Sequence, residues 1–189
     1  MVPISLISRQ ALLLADIDRH RPADALETRY QSEFRVLLAG PGDALGRSSF
    51  APGHITASLF ILDQSAGALL LHHHRRLGRW LQMGGHVEEG ETAVEGALRE
   101  GREESGLQDL RLLNDEILDL DVHSIPAGRG EPDHVHFDVR YLAVTLHPAG
   151  ITMDLNESNQ LAWIPLDEAE RLMNEAASLR VVRKIRSRA

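Results

Sequence analysis

The sequence predicts an α/β layer architecture, because segments with strand character are interspersed with amphipathic helical segments along one chain. The chain has 189 residues, of which 43% are hydrophobic and 25% charged, as expected of a globular domain with a substantial core. Residues 40–53 are dense in glycine, proline and serine and separate two predicted helices from the strand-rich remainder. We therefore predict an N-terminal helical extension over residues 1–50 and a main domain over residues 51–189.

Two helices are predicted before residue 40. The first extends from about Ser8 to Asp18. The second begins near Pro22, since proline is favoured in the first turn of a helix. Its apolar side chains recur at helical spacing and predict one buried face. They are Leu26, Tyr30, Phe34, Leu37 and Leu38.

The main domain contains the predicted strands, with helices between and after them. Runs of apolar and β-branched residues bounded by turn residues predict strands at residues 54–63, 68–76, 110–125, 134–146 and 160–166. Residues 76–91 are rich in glycine and charge and are predicted to form a loop. Helices are predicted at residues 92–105, 167–176 and 179–188.

Composition excludes several classes of function. The formal net charge of -8 makes nucleic acid an unlikely partner, because nonspecific binding to a phosphate backbone requires a basic surface. The chain contains no cysteine, which excludes disulfides, thiolate metal sites and cysteine nucleophiles. No signal peptide is recognisable, and no apolar run approaches the roughly 20 residues that span a membrane. We therefore expect a cytoplasmic protein that does not bind membranes.

The helix at residues 92–105 combines a capping signal with an unusual cluster of charge. Thr92 and Glu95 have the spacing of a capping box. Glu100, Glu103 and Glu104 are neighbours on the helix surface, where three carboxylates repel one another. They could form a solvated face paired with nearby arginines, or a site for a hard cation such as Mg²⁺ that takes oxygen ligands. Glycines before the helix favour the second interpretation, because they let the backbone approach a ligand.

Eight residues of this segment stand at a fixed spacing: Gly85, Glu91, Arg99, Glu100, Glu103, Glu104, Gly106 and Leu107. In that register the segment resembles the Nudix box. Gly101 departs from that pattern by replacing a bulky aliphatic residue, and its helical position points it into the buried face. The resemblance implies a Nudix-like α/β/α sandwich around a mixed β-sheet, and Mg²⁺-dependent hydrolysis of a nucleoside diphosphate linked to another group, with Mn²⁺ as a substitute cation.

The resemblance also implies roles for individual residues. The metal would be held by the carboxylates of Glu100, Glu103 and Glu104, with the carbonyl of Gly84 as a further ligand. Glu91 and Arg99 would orient these carboxylates without touching the metal. Two residues compete as the catalytic base: Glu103, and Glu157 in the predicted loop before the strand that contains Trp163. Glu157 could equally be an exposed loop residue.

Histidines outside the box suggest contacts with a substrate. His134 and His136 alternate with Asp138 along a predicted strand, so the three would share a face. They could line the substrate cleft, bind a second metal, or form an exposed strand face. His86 could reach a phosphate. The run of three histidines at residues 72–74 lies on another predicted strand, where neighbours point to opposite faces and cannot form one compact site.

The sequence indicates the class of substrate more clearly than the substrate itself. Markers of the ADP-ribose and dinucleoside polyphosphate hydrolases are absent, which favours a nucleotide sugar or a nucleoside triphosphate as the small-molecule partner. A homodimer is suggested by analogy with the family. The alternative is a non-catalytic Nudix-like module that binds nucleotides or regulates a partner. Such a module would be expected to lose box glutamates, and this chain retains them.

Overall fold

The computed structural model of the protein describes residues 6–128, 130–173 and 176–188. The helices are α1 (Leu6–Arg19), α2 (Ala25–Ala39), α3 (Ala93–Ser105), α4 (Leu166–Met173) and α5 (Ala176–Arg186). The strands are β1 (Gly53–Asp63), β2 (Ala68–His74), β3 (Arg79–Leu81), β4 (Met83–His86), β5 (Arg111–Leu112), β6 (Asp119–Ile125), β7 (His134–Val144) and β8 (Ser158–Pro165). A short 3-10 turn covers Pro148–Gly150.

The eight strands form one mixed sheet around a central parallel pair. Strands β1 and β7 run parallel from the pair Gly53 and Val135 to the pair Leu62 and Val144. All other pairings are antiparallel: β2 and β4 with β1, β3 and β8 with β2, and β5 and β6 with β7. The parallel pair brings the start of β1 beside the start of β7, so His54 lies opposite His136.

Helices cover both faces of the sheet. One apolar cluster joins α1, α2 and α3 to alternate residues of β1 and β7, including Ile55 and Val139. The other joins α4 and α5 to the opposite face through residues such as Phe60 and Leu142. The predicted α/β/α sandwich around a mixed sheet is therefore confirmed. Within the described residues, no helix is long and apolar enough to cross a membrane.

The N-terminal helices are present as predicted and pack into the same core as the sheet. A fully buried carboxylate, Glu27 of α2, accepts hydrogen bonds from the backbone of Ala23 and Leu120 and from Nζ of Lys184. Burial alone would raise the pKa of Glu27, but hydrogen bonds from His20 and Lys184 outweigh it and hold that pKa well below its usual range. This carboxylate ties the first helices of the chain to the last one.

Some predicted boundaries were wrong. Helix α2 begins at Ala25 rather than near Pro22, because the side chain of Asp24 caps it by accepting a hydrogen bond from the Glu27 amide. The predicted loop at residues 76–91 contains β3 and β4. Glycines in β4 disguise it as a loop in the sequence, although its backbone pairs with β1.

The predicted strand at residues 110–125 is interrupted. Only Arg111–Leu112 and Asp119–Ile125 pair with β7, and a bend lies between them. At that bend the side chain of Asn114 contacts Glu116 and its backbone, which replaces ladder hydrogen bonds with local ones. The end of the predicted helix at residues 167–176 includes residues 174 and 175, and the segment between the predicted strands at 110–125 and 134–146 includes residue 129. These three residues, like residues 1–5, lie outside the described part of the chain.

Candidate active site

Helix α3 is fixed at both ends by local hydrogen bonds. The Thr92 hydroxyl accepts from the Glu95 amide at 3.4 Å, and the Glu95 carboxylate accepts from the Thr92 amide at 2.8 Å. The predicted capping box is therefore confirmed. At the other end, Gly106 adopts a left-handed backbone with φ of 76°, and its amide donates to the Arg102 carbonyl. The helix thus presents its carboxylates from a defined position.

Arg99 holds three carboxylates and one strand carbonyl together. Its Nε and Nη2 donate to the two carboxylate oxygens of Glu91 at 2.9 and 3.2 Å, and Nη2 also donates to the His86 carbonyl at 2.9 Å. Its Nη1 lies 2.9 Å from Oε1 of Glu100 and 3.0 Å from Oε2 of Glu103. Burial opposes the charge on Arg99, but the hydrogen bonds to Glu91 and Glu100 more than offset it and raise its pKa. The guanidinium therefore orients these carboxylates relative to β4.

Glu104 is the most buried of the three clustered glutamates, with 7% exposure. Its Oε2 accepts a hydrogen bond from the Gly84 amide at 3.0 Å. Burial raises the pKa of its carboxyl to about 8 against the lowering effect of that hydrogen bond, and the charges of Glu100, Glu157 and Asp154 raise it further. The charged groups that act most strongly on Glu104 are therefore all acidic.

The two glycines of β4 allow a close approach between this strand and the site. A Cβ atom on Gly84 would lie 2.8 Å from the carbonyl oxygen of Ala57 and 2.8 Å from Cα of Ser58, so no side chain fits there. A Cβ atom on Gly85 would lie 2.5 Å from Oε1 of Glu100. A side chain at Gly85 would therefore displace a carboxylate of the box.

Gly101, the departure from the box pattern, faces the core as predicted. A Cβ atom at this position would lie 2.5 Å from Cδ2 of Leu59 and 3.2 Å from Cδ1 of Leu110. Both leucines are buried, at 0% and 5% exposure. They fill the volume that an aliphatic side chain on the helix would otherwise occupy, so the core here is closed without one.

Glu157 lies in an exposed turn immediately before β8, close enough for its charge to raise the pKa of Glu104. Its backbone carbonyl accepts a hydrogen bond from the Arg75 amide at 2.8 Å, which anchors the turn. Asp154, which sequence patterns did not single out, acts on Glu104 in the same way. The structure thus brings Glu157 to the box, while its catalytic role stays a prediction.

Asp138 belongs to a different set of contacts from the histidines with which the sequence grouped it. It is buried, and its carboxylate accepts from the Ser58 hydroxyl at 2.8 Å and from Nε of Arg140 at 2.9 Å. His134 and His136 instead approach each other, with 3.1 Å between their Nε2 atoms. The shared strand face therefore divides into a histidine end and an ion-paired end.

Four histidines, His54, His86, His134 and His136, form what we call the histidine cluster. The His54 ring centroid lies 4.9–5.1 Å from those of the other three. The ligand nitrogens of His54, His86 and His136 all lie within 4.8 Å of one another. The sequence pattern gives no sign of His54 as a member of this cluster, because only the parallel pairing of β1 with β7 places it opposite His136.

Burial favours the neutral form of three rings in the histidine cluster, those of His54, His86 and His136. It lowers the pKa of His86 to about 4 and that of His136 to about 2, and it also lowers the pKa of His54. Among the described residues, His54, His86 and His136 are the only group of three or more potential metal ligands whose ligand atoms all lie within 4.8 Å of one another. The box glutamates Glu100 and Glu103 are instead bridged by Nη1 of Arg99, at 2.9 and 3.0 Å.

Comparison with known proteins supports the box and the fold together. Residues 52–185 match the NUDIX domain family. Similar solved structures include a C. elegans Ap4A hydrolase binary complex, with a TM-score of 0.57 and 20% identity over 70% of this chain and 95% of that one. The E. coli dihydroneopterin triphosphate pyrophosphohydrolase has a TM-score of 0.58 and 20% identity over 71% of this chain and 96% of its own. The M. smegmatis Nudix hydrolase RenU has a TM-score of 0.54 and 22% identity over 77% and 94% of the two chains.

At these identities the solved structures establish the fold, and the family match establishes membership because it covers most of the chain. The match spans the sheet, helix α3 with its Nudix box, and the C-terminal helices. The chain therefore belongs to the Nudix family of pyrophosphohydrolases, enzymes that act on nucleoside diphosphates linked to another group.

Proposed function

We propose that the protein is a Mg²⁺-dependent hydrolase that cleaves a diphosphate bond in a nucleoside diphosphate derivative, with a nucleotide sugar or a nucleoside triphosphate as the favoured substrate. The observation that carries this proposal is the environment of Glu104. This carboxyl is buried, its pKa is raised to about 8, and its strongest charged neighbours are all acidic. A divalent cation at Glu104 offsets both the burial and the repulsion.

The donor set fits a hard cation. Glu100, Glu103 and Glu104 offer carboxylate oxygens, and Gly84 lies in contact with Glu104. Oxygen-only sites suit Mg²⁺ and Mn²⁺. The side chain of Glu103 is 58% exposed, so it can leave Arg99 for a ligand at little cost. Such a cation, when bound, neutralises diphosphate charge and lowers the pKa of a bound water.

Arg99 and Glu91 act as positioning residues in this proposal. Their two-point contact fixes the guanidinium, and the guanidinium in turn restrains Glu100. The Arg99 contact with the His86 carbonyl adds a link to β4. Because metal affinity depends on ligand orientation, loss of either residue weakens metal binding without removing a ligand.

Of the two candidate bases, Glu157 suits the role better than Glu103. A base must offer a free lone pair to the attacking water. As a proposed metal ligand, Glu103 would share its carboxylate between the cation and Arg99, which donates to it at 3.0 Å. The side chain of Glu157 lies in an exposed turn near Glu104, where water has access. We therefore assign the base to Glu157 and keep Glu103 as a ligand.

His86, His134 and His136 are proposed to lie along the substrate path. Because the His86 and His136 rings are neutral, they offer hydrogen bonds to a substrate rather than positive charge. The acidic protein, with its net charge of -8, suits a small substrate carried with a metal better than a nucleic acid. A cytoplasmic location, a homodimer and an N-terminal extension distinct from the Nudix domain stay predictions from the sequence.

The test is release of cleavage products, resolved by ion-exchange chromatography, from a panel of nucleoside triphosphates, nucleotide sugars, ADP-ribose, dinucleotides and capped RNA. Each substrate is incubated with Mg²⁺, with Mn²⁺ and with a chelator. Glu104→Gln is compared with Glu95→Gln, which lies on the same helix and keeps the cap. We expect metal-dependent release from one substrate class, lowered by orders of magnitude only in Glu104→Gln. Equal release in chelator, or full activity of Glu104→Gln, contradicts the proposal.

The non-catalytic alternative predicts a different result from the same panel. A module that only binds nucleotide would release no cleavage product from any substrate, yet would bind Mg²⁺ and nucleotide together. Calorimetric titration of nucleotide in the presence of Mg²⁺ measures that binding directly. Binding without turnover across the whole panel would favour the module.

A further inference from the structure

We propose that His54, His86 and His136 form a second metal site that takes Zn²⁺, with a ligand set distinct from the box glutamates. The three side chains come from β1, β4 and β7, which meet at one end of the sheet. Their ligand nitrogens lie within 4.8 Å of one another. This site does not depend on the proposed hydrolysis and can be tested separately from it.

His54 gives the strongest indication of a missing partner. Its ring is fully buried, at 0% exposure, and its Nδ1 lies 3.2 Å from the Ser49 carbonyl oxygen. A carbonyl only accepts, so Nδ1 carries the proton and Nε2 has the free lone pair. Nε2 is buried and has no hydrogen-bond partner. Histidines that bind metal commonly show this arrangement, in which the second nitrogen donates to a backbone carbonyl.

The hydrogen bonds of His134 determine which nitrogen of His136 has a free lone pair. Nδ1 of His134 lies 2.8 Å from the Pro132 carbonyl oxygen and must donate to it, so Nε2 is the nitrogen that can accept. The proton between Nε2 of His134 and Nε2 of His136 therefore belongs to His136. Nδ1 of His136 is then the nitrogen with a free lone pair in the ion-free protein.

The type of ligand selects the cation. Neutral imidazoles suit Zn²⁺ and related transition ions, whereas Mg²⁺ prefers oxygen. Tetrahedral Zn²⁺ holds its nitrogens about 3.4 Å apart. The three nitrogens, which lie within 4.8 Å of one another, would therefore approach by at most about 1.4 Å per pair to bind one ion. Three protein ligands leave a position for water or an anionic oxygen. The His86 backbone is already tied to Arg99, so the site adjoins the Nudix box.

The experiment titrates the chelator-stripped full-length protein with Co²⁺ in excess Mg²⁺, followed by displacement with Zn²⁺. Co²⁺ reports tetrahedral nitrogen coordination by its visible absorption, and Mg²⁺ occupies sites that prefer oxygen. His86→Gln and His136→Gln remove one ligand each, and both positions are only half-buried. The matched control is His73→Gln, which alters a histidine on β2 outside the cluster. Glu104→Gln is included to separate this site from the box.

We expect one tetrahedral Co²⁺ per chain, displaced by Zn²⁺, in the wild type, in His73→Gln and in Glu104→Gln. Affinity should fall by at least about 100-fold in His86→Gln and in His136→Gln. Circular dichroism verifies that each variant is folded, and Zn²⁺ should raise the thermal midpoint only where the triad is intact. The proposal is overturned if the wild type binds no Co²⁺, if both cluster variants bind it unchanged, or if binding is lost in His73→Gln or Glu104→Gln. A hydrolase that fails every substrate test would leave this result unaffected.

Discussion

The amide nitrogen of Gly84 lies 3.0 Å from Oε2 of Glu104 and joins strand β4 to the most buried carboxylate of helix α3. This hydrogen bond favours the ionised carboxylate, yet burial and the surrounding acids keep the pKa of Glu104 at about 8. In the absence of metal, the protein therefore holds a carboxyl that resists ionisation at neutral pH. Metal binding must release that proton, so metal affinity should rise with pH.

The first prediction concerns the stability of the metal-free protein. The pKa of Glu104 is raised from 4.5 in a model peptide to about 8 in the folded chain. Its contribution to stability is therefore complete below pH 4.5 and is lost as the pH rises towards 8. Glu104→Gln cannot ionise but keeps an acceptor for Gly84, so it should unfold at a higher temperature than the wild type at pH 9 and at a similar one at pH 4.5. Thermal denaturation in chelator measures this difference, and a pH-independent gap would contradict the assignment.

Local signals in the sequence account for many of the contacts around helix α3. The capping box joins residues three apart, and the contacts of Arg99 with Glu91 and Glu103 join residues eight and four apart. Such contacts follow from helix geometry and a short loop, so a motif can encode them. The cap and the clustering of carboxylates at one end of the sheet could therefore be anticipated.

Contacts between distant segments could not be predicted in the same way. His54 meets His136 because β1 and β7 pair in parallel, and nothing within either segment specifies that register. Strand β4 was missed because its glycines have low strand propensity, although pairing with β1 overrides it. The charge of Asp154 raises the pKa of Glu104, but Asp154 lies in the segment before β8, which carries no recognisable motif.

The second prediction concerns Gly85. In Gly85→Ala, the new methyl group would lie 2.5 Å from Oε1 of Glu100 and should push that carboxylate out of place. We expect weaker Mg²⁺ binding and a loss of activity of about 10–100-fold, comparable to loss of a group that orients a ligand. Calorimetric titration with Mg²⁺ and a rate measurement test it. Gly150→Ala is the control, because its nearest neighbour would be Cδ2 of Leu107 at 3.7 Å, an ordinary contact. An equal effect in both variants would show that the loss is not specific to Glu100.

The third prediction concerns Gly101, where the family pattern would place an aliphatic residue. Gly101→Leu should destabilise the protein by about 1–3 kcal/mol, because Leu59 and Leu110 already fill the space. Gly101→Ala should be milder, since a gain of about 1 kcal/mol in helix propensity offsets part of the clash with Leu59. Combining Gly101→Leu with Leu59→Ala should recover part of the loss, as neighbours that compete for one volume are non-additive. Urea denaturation measures all three, and a stabilised Gly101→Leu would show that the leucines repack freely.

The fourth prediction concerns the N-terminal helix α1. Arg9 is 6% exposed, and its Nη1 donates to the carbonyls of Glu88 and Glu91 at 3.2 and 2.8 Å, which anchors the loop of the box. Arg9→Gln should cost about 1–3 kcal/mol by leaving these partners unsatisfied, and it should also loosen the loop. Hydrogen exchange at residues 88–91 should accelerate, and KM should rise more than kcat falls. Arg19→Gln, on the same helix but with a side chain 72% exposed, is the control and should change neither quantity.

The fifth prediction separates the two candidate bases. Glu157→Gln removes both a negative charge near Glu104 and the proposed base, whereas Asp154→Asn removes a comparable charge alone. At saturating metal, Glu157→Gln should lower kcat by about 10²–10⁴-fold and abolish the acidic limb of the pH–rate profile. Asp154→Asn should keep that limb. Both variants should lower the pKa of Glu104, since each relieves a repulsion that raises it, and titration of Mg²⁺ affinity against pH reports that common effect. A near-normal kcat with the acidic limb intact in Glu157→Gln would return the role to Glu103.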